Sequence, residues 1–120
     1  LNTREALSSI SEILPKVSAV IFDVKLIEID EHKDIYLKGG EYNQSSIIFS
    51  ISSSVGKIWS TLLSAVDTDP LKTNLLNNKE KLEYIDTRFG NKVFYKFTNG
   101  IKTDIISPYA TSTNTTTISR

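Results

Sequence analysis

The chain has 120 residues, enough for one domain with one modest core, and it balances 14 Lys and Arg against 14 Asp and Glu. A formal net charge of zero lacks the field that non-specific binding to nucleic acid or an anionic membrane needs, and it does not oppose association with another protein surface. The absence of Cys excludes disulfides, thiolate metal sites and Cys nucleophiles together.

From the N-terminus, "NTREALSSISEIL" predicts an amphipathic helix. Asn2 and Glu5 have capping-box spacing, Leu7, Ile10, Ile13 and Leu14 recur at helical intervals, and Pro15 stops it. "VSAVIFDVKLIEID" predicts a strand with Val20, Phe22, Val24 and Leu26 on one face and Ile21, Asp23 and Lys25 on the other. Ile27 and Ile29 shift the apolar phase by one residue, which points to a bulge or an edge that twists away. "DEHKD" is a polar turn, "IYLKGGEY" the returning strand broken at Gly39-Gly40, and "SSIIFSIS" a third short strand alternating at Ile47, Phe49 and Ile51. Val55, Ile58, Trp59, Leu62, Leu63 and Val66 then mark a second helix, which "DTDP" ends. "LKTNLLNN" reads as a helical turn or ordered loop. "EKLEYIDTRF", "NKVFYKFT" and "GIKTDIIS" are strands separated at Gly90-Asn91 and Asn99-Gly100, the second a type I′ turn signal. The domain is expected over residues 1–107, with a flexible Thr/Ser-rich tail over 108–120.

"SSSVGKI" is where a phosphate-binding loop would sit. That loop needs a glycine at position 51 and a hydroxyl at 58, and Ile51 and Ile58 stand there instead. Ser53 or Ser54 is therefore read as a helix cap. His32 is the only histidine and sits in a solvated turn, so neither a His-paired metal site nor a Ser–His pair is expected. Asp30, Glu31 and Asp34 around it do not have the spacing of an EF-hand loop. No G-x-S-x-G elbow occurs. In "VFYKF", Phe94 and Lys96 share one strand face and Val93, Tyr95 and Phe97 the other, a pattern suited to core packing more than to stacking bases. Trp59 falls within the helix stripe and is expected in the core. No catalytic, cofactor or metal residues are assigned.

These elements predict an α+β two-layer sandwich, two helices on one face of an antiparallel sheet, on a ferredoxin-like plan. The segments "EILPKVSAVIFDVKLIEID", "KDIYLKG", "SIIFSISSSVGKIWSTLLSAV" and "EYIDTRFGNKVFYKFT" together resemble a family across residues 3 to 98. It is that of the small periplasmic domains of inner-membrane assembly proteins in type IV pilus and type II secretion machines, of the PilN and GspL kind. The resemblance implies a non-catalytic scaffold that forms homo- or heterodimers with a similar domain on the periplasmic side of a bacterial inner membrane, and it transfers no catalytic residues. The rival location is the cytoplasm.

The run Val20–Ile29 is apolar on both faces, more than one helix layer covers, so Ile21, Ile27 and Ile29 are the expected contacts with a protein partner. No contact with nucleic acid is expected, and none with a membrane from this segment: no stretch reaches the roughly 18 apolar residues of a span. The chain starts at Leu1 and lacks Met, and is read as part of a longer protein whose anchor lies outside it. The alternative function is a small ferredoxin-like enzyme or ligand-binding domain, with a pocket between the sheet and "DTDPLKTNLLNN".

Overall fold

The structure is a computed structural model that describes residues 3–90, 92–98 and 105–106. Two short helices open it where one was predicted: α1 (Thr3–Ile10) and, after a turn, α2 (Leu14–Val20). Pro15 begins the second helix instead of ending the first. In the first turn its missing N–H is one that no helix would use, and its fixed φ suits the position. Ile10, Ile13, Val17 and Ile21, each at most 2% exposed, form one buried stripe at helical spacing across both helices. That stripe overrides the β-branched character of residues 17–21, so the predicted strand begins only at Val24. The expected capping residue Asn2 lies outside the described residues.

The strands are β1 (Val24–Ile29), β2 (Asp34–Gly39), β3 (Ser45–Ser50), β4 (Leu82–Phe89), β5 (Lys92–Phe97) and the two-residue β6 (Ile105–Ile106). They lie in the order of the chain, β1-β2-β3-β4-β5-β6. The α+β class is as expected, but the sheet is mixed and not antiparallel throughout: β3 and β4 run parallel, and every other neighbouring pair is antiparallel. Parallel neighbours require a long crossover, which residues 51–81 supply with α3 (Val55–Val66), α4 (Leu71–Asn78) and a 3-10 turn, Lys79–Lys81. The bulge expected near the end of this strand, at Ile27, lies instead at its start, as an irregularity between Val24 and Leu26. Gly39 admits close backbone approach, because a Cβ there would run into the Asp23 carbonyl oxygen and the Phe22 ring. Gly40 and Gly90 turn the chain at φ +88° and +70°. The predicted Asn99-Gly100 turn and the tail from Pro108 fall outside the described residues.

One cluster holds the core. Ile35, Leu37, Ile47, Phe49, Ile85, Val93, Tyr95 and Phe97 from the sheet meet Ile10, Val17, Ile58, Leu62, Ala65 and Leu71 from all four helices. Strand residues two apart point the same way, so every helix lies on one side of the sheet. Ser54 caps α3, its side chain accepting from the Lys57 N–H at 3.3 Å. The predicted α3 stripe holds except at its flank: Ile58 and Leu62 are buried, Trp59 is half-buried beside the Lys16 ammonium, and Leu63 is 45% exposed. Thr61, one step from Leu62, takes the buried place that Leu63 was expected to fill.

Leu62 is fully buried. Leu62→Ala should lower the unfolding free energy by about 2–5 kcal/mol, measured by chemical denaturation. A change below about 0.5 kcal/mol would show that this face of α3 does not meet the sheet.

Candidate functional site

Because the helices take one face, alternate strand residues carry their side chains away from the core. They are Asp34, Tyr36 and Lys38 on β2, Ser46, Ile48 and Ser50 on β3, Tyr84, Asp86 and Arg88 on β4, and Lys92, Phe94 and Lys96 on β5. The register aligns Glu28, Tyr36, Ile48, Asp86 and Phe94 in one row across the sheet. A second row runs Leu26, Lys38, Ser46, Tyr84 and Lys96. The buried apolar helix side chains all belong to the core cluster on the other side of the sheet.

Arg88 organises one end of the face. Its Nε and one terminal nitrogen donate to the two carboxylate oxygens of Asp86 at 2.9 and 2.6 Å, and its other terminal nitrogen donates to Asp34 at 2.8 Å. The guanidinium thus ties β4 to β2 across the intervening β3. The hydrogen bonds and charge of Asp86, then those of Asp34, hold it well above the ordinary Arg range against partial burial. The planar fork matches Asp86 bidentately, and a Lys there would not. The Thr87 hydroxyl donates to the Ile48 carbonyl at 3.0 Å. Arg88 also lies over the Phe89 ring at 5.6 Å, and Phe89 meets Phe94 edge to face with centroids 5.1 Å apart.

At the opposite edge, Asp30 shapes the β1–β2 turn. Its carboxylate accepts from the His32 and Asp34 N–H groups and from the Tyr36 hydroxyl. These bonds, Asp34 first, hold the Asp30 carboxyl below its usual range. Burial, and then the bond to Asp30, raises the Tyr36 hydroxyl. A shallow depression of about 560 Å³ is bordered here by Glu28, Ile29, Asp30, Tyr36 and Lys38.

The three expected contact residues are placed otherwise than the strand reading implied. Ile21 is fully buried at the end of α2, where its N–H donates to the Val17 carbonyl, and it is not available to a partner. The irregularity at the start of β1 turns Ile27 and Ile29 to the core side, where they pack half-buried. Their backbone is another matter. The bond from the Asp30 N–H to the Asp34 carbonyl fixes which residues pair with β2, so Ile27 and Ile29 direct their own N–H and C=O groups to the free edge. His32 is exposed, 3.5 Å from Glu31. "LKTNLLNN" folds as α4, so the depression beside it, about 340 Å³ and lined by Val20, Val66, Lys72, Leu75 and Leu76 among others, lies among helices and not against the sheet. Phe94 and Lys96 share a face as predicted, and that face is the open one.

Comparison with protein-family models, with curated proteins and with solved structures finds no match.

Arg88→Met leaves Asp86, only 5% exposed, without the guanidinium that compensates its charge. The loss should be about 1–4 kcal/mol by urea denaturation, below that of a fully buried pair because Arg88 keeps solvent contact. Asp30 gives a pH prediction. A carboxyl lowered in the fold adds stability above the ordinary value of 3.8 and loses it as pH falls through the lowered value. Asp30→Asn keeps the acceptor of the turn but not the charge, so its stability should vary less between about pH 5 and pH 2 than that of the parent chain, followed by thermal melts.

Proposed function

We propose that this domain acts by binding protein through the uncovered sheet face, as a scaffold with no chemistry of its own. One observation carries this reading: Tyr36 and Phe94 flank Ile48 and Asp86 in one row across a face that no described helix covers, among charged side chains. Aromatic rings and Arg, the residue types enriched in recognition patches, stand together here with the Arg charge already satisfied. This Arg is committed to two carboxylates, so the face is stiff before a partner arrives.

The ferredoxin-like plan is supported at the level of its layers, helices on one side and a sheet on the other. A β-α-β-β-α-β chain has two strand–helix–strand units, and this chain has one, between β3 and β4. The periplasmic setting and the pilus or secretion machine rest on the sequence resemblance. The interaction role rests on the face itself.

A photo-crosslinking phenylalanine in place of Phe94, used in the full chain in its native extract, should trap a protein. The same group at Leu76, exposed on the helical side, should not. Equal yields at both positions, or a saturable small-molecule thermal shift that face substitutions abolish, would overturn the proposal.

A further inference from the structure

We infer that the partner is a second copy of this chain, laid face to face on the open sheet about a two-fold axis that runs along the strands above Ile48. This rests on the interaction reading above and adds the occupant and its orientation.

The argument is electrostatic. On the β1–β2 half of the face stand three carboxylates, Glu28, Asp30 and Asp34, and one ammonium, Lys38. On the β4–β5 half stand two carboxylates, Glu83 and Asp86, and three cations, Arg88, Lys92 and Lys96. The two halves are opposite in sign, the acidic excess the larger. Lys38 is tied to Glu28 at 2.9 Å, Lys96 to Glu83 at 3.9 Å, and Arg88 to Asp34 and Asp86, whereas no described carboxylate pairs with Lys92. Asp30 is held by hydrogen bonds alone.

Sign decides the geometry. Rotation about an axis along the strands lays β1 over the other copy's β5 and β2 over its β4, while β3 meets β3. Each acidic half then covers a cationic half. Position along the strands is unchanged by that rotation. Asp30 and Asp34 therefore reach the end of the partner sheet that carries Lys92 and Arg88, and Ile48 meets its own copy at the axis. Rotation about an axis across the strands would set acid on acid. Antiparallel pairing of two β1 edges would likewise bring the two acidic halves side by side, so the free edge is the poorer meeting place despite its open backbone groups.

Size sets the strength. Apart from the two-residue β6, five strands about 4.8 Å apart and about 20 Å long outline a face of roughly 20 by 20 Å. This is small beside the roughly 800 Å² per partner of stable interfaces. The dimer is accordingly expected to dissociate in the micromolar range or above, and to depend on salt.

The test is a charge swap read by sedimentation velocity on the full chain, from about 1 to 500 μM. At about 50 mM salt the parent chain should shift toward dimer, and at about 500 mM the affinity should fall about tenfold or more. Lys92→Glu with Lys96→Glu makes both halves acidic. Glu28→Lys with Asp30→Asn makes the acidic half basic while keeping the turn's acceptor. Each variant alone should associate at least tenfold more weakly than the parent, with melting curves showing that it is folded, and an equimolar mixture should recover association. The parent's salt dependence reads the same interface without any substitution. A chain that stays monomeric throughout, a dimer that neither swap weakens, or a mixture that fails to recover overturns the inference. Crosslinks from position 94 to a different protein, with a monomeric chain, overturn it and leave the broader interaction reading standing. Loss of the position-94 crosslinks as well removes both.

Discussion

Two parallel strands side by side cannot be joined by a tight turn, and that constraint arranges most of this molecule. The chain leaves β3 at Ser50 and must cross back to the end of the sheet where β3 began before β4 starts at Leu82. The crossover carries α3 and α4, and their apolar stripes are satisfied only against the sheet. α1 and α2 then complete the same layer, since Ile10, Val17, Ile58 and Leu71 share one cluster. With the helices spent on one side, the other face has to be tolerable in water or covered by something else. The meanders on either side of the crossover only extend that asymmetry.

The Arg88 network follows from the same junction. A parallel pair is held by slanted, slightly weaker bonds than its antiparallel neighbours, and here it joins the two halves of the sheet. Arg88 reaches from β4 over β3 to Asp34 on β2, and Thr87 bonds the β3 carbonyl at Ile48, so side chains reinforce the ladder where it is weakest. An apolar pair of similar size would serve stability about as well. What the fork adds is direction: one register of β4 against β2 satisfies both carboxylates. The irregularity between Asp86 and Phe89 belongs to this arrangement, because it leaves the backbone N–H of Arg88 bonded to the Asp86 side chain.

The strands β2, β3 and β5, the cap at Ser54 and the α3 stripe were all legible, because alternation and the helical period are local signals. The N-terminal third was not. Pro15 followed by β-branched residues suggests a helix stop and a long strand, yet Ile10, Ile13, Val17 and Ile21 keep helical spacing straight through the proline. That continuous stripe was the signal to follow. One misplaced boundary then moved the contact residues: Ile21 belongs to a helix, and the irregularity that the phase shift at Ile27 announced turns Ile27 and Ile29 inward. The open face was hidden for a different reason. Its composition comes from five strands, and only the register brings Asp30 and Glu28 to one edge and Lys92 and Lys96 to the other.

A zero net charge is a sum, and the sum conceals the pattern that matters here. Averaged over the chain, 14 cations against 14 anions leave no field at distance, which fits poorly with a polyanion as partner. At the scale of one sheet face the same charges separate into halves of opposite sign. Such a face has a dipole along the sheet, and a neutral body with a surface dipole attracts its own copy only when the two are reversed relative to each other. Distance and salt weaken that attraction quickly, since the halves lie about 14 Å apart, nearly two screening lengths in physiological salt. The recognition it gives is therefore short-ranged and orientational. In the proposed dimer it would order a copy already held nearby, with Tyr36 and Phe94 supplying the contact once the charges have set the direction.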